Sequence, residues 1–319
     1  FAPDDVTKRL QQLAGHWRST CGKTAARIAE SIQRDQIDIL VDLAGHTANN
    51  RRAVFAHKPA PVQVAWMGYP NTTGLPTIDY RITCEFQDPV GEEQFHTERL
   101  VRLPGGSACF VPPKDAPPVG PLPALKSGEI TFGSLHRPDK ITEATFDHWS
   151  RILSAIPTAR LLAFWPTLYG SRKEWMLQEF LRRGIPEQRL DLRHQADEEG
   201  YLAVYHEIDI GLDPIPWTGG TTTKEALWMG VVVLALYGSR RSARGSSVVL
   251  HQIGLDDLIA TSPEHYIELA IELAGNIERL AMLRREMRNR MRQQLRDPHS
   301  FTRGLEAAFR TVWREWCAA

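Results

Sequence analysis

The sequence predicts an α/β fold in which helices cover both faces of parallel sheets. Apolar, β-branched segments typical of buried strands alternate with segments of helical periodicity along the 319 residues. Residues 208–236 show the pattern most compactly, because a strand, a glycine-threonine loop, a helix and a second strand follow one another with almost no residues between them. A proline-rich stretch separates two halves that both follow this alternation. These three observations predict an α/β protein of two domains.

Length and charge set limits on the function. The chain is long enough for two domains, each with its own hydrophobic core. Lys plus Arg and Asp plus Glu number 38 each, so no net charge attracts nucleic acid or an acidic membrane surface. We therefore expect neither a nucleic-acid partner nor a membrane partner.

The cysteine spacing and the hydropathy of the sequence bear on metal sites, disulfides and membrane spans. Cys21, Cys84, Cys109 and Cys317 have no spacing that suggests a zinc site or a disulfide framework, so we expect no metal site and a reducing, cytoplasmic location. No apolar run approaches the roughly 20 residues that span a bilayer. The chain starts at Phe1 without Met or a signal-peptide pattern, and we expect the beginning of the first domain to lie upstream.

The first half is predicted to contain three helices and three strands. Two helices cover residues 4–18 and 22–35, a short third one precedes Val62, and the strands cover Ile37–Leu43, Val62–Trp66 and Arg99–Pro104.

Polar loops follow the first two of these strands, at the carboxyl ends where ligands bind in open α/β sheets. The first loop carries His46, and the second carries Thr72 and Thr73. His46 is a candidate for substrate positioning or proton transfer. The alternative is that it is an ordinary surface residue of a loop.

Residues 112–128 hold six prolines in seventeen positions, which is typical of a semi-rigid connector. We place the domain boundary there. Residues 1–111 then form a partial N-terminal domain, and residues 129–319 form a C-terminal domain that includes the last helices.

The second half is predicted to alternate strands and helices and then to end in helices. A helix after residue 141 carries apolar residues at helical spacing that are expected in the core, namely Phe146, Trp149, Ile152, Leu153 and Ile156. The predicted strands are Ile130–Gly133, Arg160–Trp165, Arg189–Leu192, Ile208–Leu212 and Val231–Leu236, and further helices are predicted up to Arg183, near 198–205, and at 263–275, 277–295 and 300–316. The arginines from Arg284 to Arg296 are predicted to lie on a solvated helix face.

The stretch 208–236 predicts an anion site. Gly219 and Gly220 allow a sharp turn after the first strand, and Thr222 with Glu225 fits a capping box at the start of the helix. A helix that opens with glycines after a strand presents free N–H groups and the positive end of its dipole, which suits a phosphate. The alternative is a capped turn with no ligand. Arg244 precedes another predicted helix start on the same sheet edge, which makes it a further candidate ligand.

Four motifs in the same order carry a resemblance to a known family. They are DILVDLAGHTANNR, APVQVAWMGYPNTTG, ITFGSLHRPDKI and LDPIPWTGGTTTKEALWMG. The chain from about residue 5 to its end resembles the catalytic region of the O-linked N-acetylglucosamine transferases and their SPINDLY-like relatives, glycosyltransferase family 41. The resemblance implies a GT-B architecture, with two Rossmann-like domains across a cleft and the first of them truncated at its N-terminus. It also implies a nucleotide-sugar donor, inverting transfer without a metal to a Ser or Thr of a protein or peptide, and upstream tetratricopeptide repeats.

The resemblance also implies roles for individual residues. Lys140 matches the lysine that stabilises the departing diphosphate, which agrees with the need for a cation there. Thr221 and Thr222 match the paired threonines on the phosphates, Glu225 the acid on the ribose, and Tyr201 an aromatic platform for the base.

Some positions depart from the family pattern. His136 and Arg137 replace an asparagine-rich sequence, and His136 is retained as a donor-side candidate. Gly220 replaces a histidine. Lys224 adds a cation inside the first helical turn, where it opposes the dipole unless it faces phosphate. A histidine considered as general base in the family falls before Phe1.

Three functions stay open at this stage. The first is transfer of N-acetylglucosamine from UDP-N-acetylglucosamine to protein hydroxyls, and the second is SPINDLY-like transfer of fucose from GDP-fucose. The third is a non-catalytic nucleotide-sugar-binding remnant. A sugar-nucleotide epimerase is less favoured, because the sequence offers no clear carboxylate pair for acid-base chemistry at the sugar.

Overall fold

The computed structural model describes residues 3–198, 200–295 and 297–319. Its strands form two sheets, one of four strands in the order β1-β2-β3-β4 and one of six in the order β10-β9-β8-β5-β6-β7, numbered along the chain. Every strand pair is parallel, which confirms the predicted fold class.

The first sheet belongs to the first half of the chain. Its elements are α1 (Asp5–Leu13), α2 (Ala25–Arg34), β1 (Ile39–Asp42), α3 (Arg52–Ala56), β2 (Val62–Ala65), β3 (Tyr80–Thr83) and β4 (Arg99–Arg102). Two predictions need correction. The helix predicted over 4–18 ends at Leu13. The strand β3 was not predicted, because the buried Arg81 interrupts its short apolar pattern.

The second half forms the six-stranded sheet and its helices. The elements are α4 (Ala124–Ser127), β5 (Thr131–Ser134), α5 (Glu143–Ala155), β6 (Arg160–Phe164), α6 (Ser171–Arg182), β7 (Leu190–Arg193), β8 (Ile210–Leu212), α7 (Thr221–Trp228), β9 (Val232–Leu236), α8 (Gly245–Gln252), β10 (Ile259–Ala260), α9 (Pro263–Ala274), α10 (Ile277–Gln294) and α11 (Pro298–Ala318). The helix predicted near 198–205 is a 3-10 helix over Tyr201–Glu207.

The core of the second half confirms the pattern expected for α5. Phe146, Trp149, Ile152 and Leu153 are all buried against the sheet. Burial of these large side chains is a main source of stability for this half, at about 1.5–3 kcal/mol for each large apolar side chain.

The proline-rich segment 112–128 packs against the second half and is hydrogen-bonded to it. Leu122 and Ala124 are buried in its core, and Arg284 on α10 donates hydrogen bonds to the carbonyl oxygens of Gly120, Ile208 and Tyr205. Arg284 is 1% exposed, so the prediction of a solvated face was wrong for this residue. Its guanidinium satisfies three carbonyls that have no strand partner, and burial lowers its pKa to about 10. Arg296, at the end of the same predicted face, lies outside the described residues.

The last helix crosses back to the first half. Phe301, Leu305 and Val312 of α11 pack against Val62, Val64 and Ile82 of the four-stranded sheet. The placement of this helix in the C-terminal domain therefore needs correction, because its apolar face completes the core of the first domain. The part of the chain that the structure describes holds no helix long and apolar enough to cross a membrane.

Candidate functional site

The loop between β8 and α7 lies at the carboxyl end of the six-stranded sheet, and buried polar side chains contact its inner side. The Asp213 carboxylate accepts a hydrogen bond from the Gly219 N–H at 2.8 Å. His136 Nε2 lies 3.3 Å from that carboxylate, and its Nδ1 lies 2.9 Å from the Ser134 hydroxyl. His136 was predicted to contact the nucleotide-sugar donor. It is 7% exposed, and in the structure its side chain packs beneath the loop.

Helix α7 begins differently from the prediction. Gly220 is its N-cap, and no side chain caps the helix, so the predicted capping box of Thr222 and Glu225 was wrong. The Glu225 carboxylate instead accepts a hydrogen bond from the Tyr201 hydroxyl at 2.8 Å. The first-turn N–H groups of Thr221 and Thr222 therefore stay available for another acceptor.

A cavity of about 390 Å³, which we name the cationic cavity, opens in front of this helix start. Three cations line it: Lys140, Lys224 and Arg241. None of its described lining residues is Asp or Glu. Other lining residues come from both halves of the chain, including Gly219, Gly220, Thr221 and Thr222 of the second half and Met67, Gly68, Pro70, Gln87, Ser107 and Ala108 of the first.

The two lysines are partly withdrawn from water. Lys140 Nζ donates to the Thr218 carbonyl oxygen at 2.7 Å, and burial lowers the pKa of Lys140 although the charge of Asp213 opposes this. Burial also lowers the pKa of Lys224. Among the described residues, neither ammonium has a carboxylate within ion-pair distance. An anion in the cavity would compensate both charges and the dipole of α7.

Arg241 lines the cationic cavity, and Arg244, the candidate ligand from the sequence, does not. Arg244 donates to the carbonyl oxygens of Gly238 and Gln87 and pairs with Glu92 at 3.2 Å, so its guanidinium joins the two domains and lies outside the cationic cavity. Arg241 is the residue that lines the cavity, and its buried Nε has no hydrogen-bond partner among the described atoms. Arg241 begins the 3-10 turn Arg241–Ala243, and Arg244 directly follows it.

A second cavity of about 360 Å³, the aromatic cavity, adjoins the first. Both cavities share Thr221 and Thr222 as lining residues. The Tyr201 ring and the Glu225 carboxylate stand in the aromatic cavity. Burial and the hydrogen bond to Glu225 raise the pKa of Tyr201 to about 12, and burial raises the pKa of Glu225. Its other lining residues are Leu135, Phe164, Trp165, Pro166 and Tyr205.

His46 stands on the first-domain side of the cleft. Its Nε2 lies 2.9 Å from the Thr73 carbonyl oxygen and 3.3 Å from Arg52 Nη1. Its ring centroid lies 4.8 Å from that of Tyr69, and Tyr69 lies 6.4 Å from Trp217, whose ring is 5.1 Å from Lys140 Nζ. Two aromatic rings thus separate His46 from Lys140.

Comparison with known proteins assigns the family. A model of glycosyl transferase family 41 matches residues 6–111 and 124–305. This chain belongs to glycosyl transferase family 41.

Other members of the family are similar along almost the whole chain. A probable UDP-N-acetylglucosamine–peptide N-acetylglucosaminyltransferase, SPINDLY of Solanum lycopersicum, is 41% identical over 97% of this chain and 34% of its own length. The chain thus spans about a third of the length of the curated relatives it matches. A solved mutant of the Thermobaculum terrenum O-GlcNAc transferase is 37% identical, with a TM-score of 0.93, over 99% of this chain and 61% of that one.

More distant structures show the fold alone. The apo structure of OtsA is 14% identical with a TM-score of 0.58, over 91% of this chain and 76% of that one. The family 41 chain therefore has the two-domain GT-B fold that the sequence motifs implied.

The structure also brings together residues that the sequence motifs of this family 41 chain did not single out as ligands. Arg241 lies in the same arginine-rich loop as Arg244, and nothing in the local sequence distinguishes the two. Trp217 and the wall from the first domain depend on how the two domains meet, so no local signal could identify them. Lys224 had a signal, because a lysine in the first turn of a helix is unfavourable without an anion.

Proposed function

We propose that this chain is the catalytic region of a protein O-glycosyltransferase that transfers N-acetylglucosamine from UDP-N-acetylglucosamine to Ser or Thr hydroxyls. The observation that carries the proposal is the adjacency of a cavity with three cations to an aromatic cavity, with Thr221 and Thr222 between them. A diphosphate fits the first, and a nucleoside fits the second. Sugar nucleotides join these two chemistries in one molecule.

Each part of the donor has a matching group. The N–H groups and hydroxyls of Thr221 and Thr222 suit phosphate oxygens at a helix start. Glu225, one helical turn further along, suits the ribose hydroxyls once they replace the Tyr201 hydroxyl as donors. The Tyr201 ring, 43% exposed, is open for stacking with the base.

The proposed chemistry is an inverting displacement. The acceptor oxygen attacks the anomeric carbon from the face opposite the diphosphate, the bond from that carbon to the phosphate oxygen breaks, and the acceptor hydroxyl loses its proton to a base. Lys140 stabilises the charge that develops on the leaving diphosphate. Because Lys224 adds a second ammonium in the same cavity and the Arg241 guanidinium, paired with Asp88, also lines it, we propose that the reaction needs no metal ion.

The proposal extends to partners and location. We expect a protein or peptide acceptor, tetratricopeptide repeats upstream in the full-length protein, and a cytoplasmic location. Support for the location comes from the four cysteines, which are all free.

Calorimetry with UDP and with GDP tests the donor. We expect binding of UDP with little binding of GDP, because the proposal names a uridine donor. Preference for GDP would favour fucose transfer from GDP-fucose, and no binding of either nucleotide would contradict both activities.

Turnover of the full-length protein tests the role of Lys140. For Lys140→Ala we expect kcat to fall by roughly thirtyfold or more, about 2 kcal/mol of transition-state stabilisation, because one preorganised charge donor is lost. Lys173→Ala, at an exposed lysine on α6, is the matched control and should act like the wild type. An unchanged rate in Lys140→Ala would remove the proposed role, and a wild type without turnover would favour the non-catalytic remnant.

A further inference from the structure

Trp217 is a large apolar side chain left partly open in the cationic cavity. It is 37% exposed and lies outside the hydrophobic core clusters of the described residues. The backbone on both sides of it is fastened. The Ile215 carbonyl oxygen accepts hydrogen bonds from the Thr142 and Thr145 hydroxyls, and the Thr218 N–H donates to the Ser242 carbonyl oxygen at 3.1 Å. The fold therefore holds this indole in the cavity although it contributes little to the core.

The neighbours of Trp217 place it between the leaving group and the first domain. Lys140 Nζ lies 5.1 Å from the centroid of the indole ring. From the other domain, the Tyr69 ring approaches at 6.4 Å with an interplanar angle of 79°. A group that is attached to a phosphate held by Lys140 is therefore within reach of this indole.

We propose that Trp217 is a binding platform for the sugar ring of the donor and thereby contributes to sugar selectivity. This inference rests on the proposed function. A pyranose has an apolar face of C–H groups, and an aromatic ring offers a flat apolar surface with a negative face that attracts them. Because hydrogen bonds already order the backbone around Trp217, binding of the sugar costs little backbone conformational entropy.

Two other roles predict different measurements. If Trp217 only braces Lys140, its loss weakens binding of every nucleotide that carries a diphosphate. If it contacts the protein acceptor, its loss raises the KM for the acceptor and leaves donor binding unchanged. A sugar platform affects only the part of donor affinity that the sugar supplies.

The experiment compares UDP with UDP-N-acetylglucosamine in the wild type, Trp217→Phe and Trp217→Ala of the full-length protein. For Trp217→Ala we expect the affinity for UDP-N-acetylglucosamine to fall about tenfold, while the affinity for UDP changes by less than about twofold. Trp217→Phe keeps an aromatic ring and should recover part of the loss. If the wild type prefers GDP, the same comparison uses GDP and GDP-fucose.

Trp17→Ala is the matched control, because Trp17 is 50% exposed and lies in another part of the surface. Thermal melting of each variant verifies that it is folded. Equal losses for UDP and the sugar nucleotide, or no loss for either, would overturn the platform. A wild type that binds no nucleotide would overturn the proposed function itself, so the two failures are distinguishable.

Discussion

Two lysines that have no carboxylate within ion-pair distance among the described residues face one cavity, and this charge arrangement is the residue-scale basis of the site. Burial disfavours the charged form of both, which lowers the pKa of Lys140 and of Lys224. Lys224 also stands in the first turn of α7, where the helix dipole opposes a positive charge. A bound diphosphate reverses both effects, so ligand binding and lysine protonation are coupled.

UDP affinity should therefore depend on pH. Binding needs both lysines protonated, and their pKa values in the free protein lie below the ordinary value, so we expect affinity to fall as the pH rises toward 10. In Lys224→Arg the fall should be shallower, because a guanidinium keeps its charge and only Lys140 still loses its proton. Calorimetry across this range, with Lys173→Arg as control, measures the effect. A pH profile identical to that of the wild type would show that Lys224 does not contact the diphosphate.

Sequence reasoning at this scale succeeded where a residue depends on its immediate neighbours. The motif around Thr221 and Thr222 predicted a helix start, which the structure places two residues earlier than the predicted Thr222 cap, at Gly220, and Lys140 lines the same cavity. The sequence singled out Arg244, whereas the guanidinium that lines the cavity belongs to Arg241, and this difference depends on the path of the whole loop.

The loop from β8 to α7 is the element that organises both cavities. Asp213 fixes Gly219, and Thr223 lies 2.6 Å from Ser246, hydroxyl oxygen to hydroxyl oxygen, which connects α7 to α8. A Cβ added to Gly219 would stand 2.1 Å from Thr223 Oγ1 and 2.8 Å from His136 Nε2. The close packing beneath the loop thus explains why this position needs glycine.

Gly219→Ala should displace the loop. We expect a loss of about 1–3 kcal/mol in the free energy of unfolding, the usual cost of an overpacked site, together with weaker UDP binding. Gly15→Ala is the control, because its Cβ would meet nothing within 4 Å. Denaturant unfolding and calorimetry measure the two effects. Wild-type values for both would mean that the loop adjusts without cost.

Elements with strong periodicity could be predicted from the sequence, and those defined by their partners could not. Helix α5 was predicted with its core residues. Strand β3 was missed because it is short and carries the buried Arg81, whose role depends on other segments. Arg284 was misplaced for the same reason, since the carbonyl groups it satisfies belong to distant parts of the chain.

At the scale of the whole molecule, a buried ion pair joins the two domains beside the cationic cavity. Arg241 of the second half pairs with Asp88 of the first, and both also contact the Thr83 hydroxyl. Asp88 is fully buried and Arg241 is 5% exposed. Burial alone would raise the pKa of Asp88, but His96, whose Nε2 lies 3.5 Å from the carboxylate, and the charge of Arg241 hold it below the ordinary value. The same guanidinium thus lines the donor cavity and secures the domain interface.

Asp88→Asn should destabilise the protein by about 3–5 kcal/mol, because it leaves Arg241 buried without a counter-charge. We expect the melting temperature to fall on the order of 10 °C. Glu306→Gln, in an exposed pair with Arg310 on α11, is the control and should change stability by less than about 1 kcal/mol.

The pH dependence of stability gives a second readout of the Asp88–Arg241 pair. Since the Asp88 pKa is lowered on folding, its stabilisation is fully present above the unfolded pKa of about 3.9 and is lost as the pH falls below it. The difference between wild type and Asp88→Asn should therefore be constant above about pH 5 and narrow as the pH falls through about 4. Equal melting temperatures at neutral pH would show that other contacts hold the two domains together.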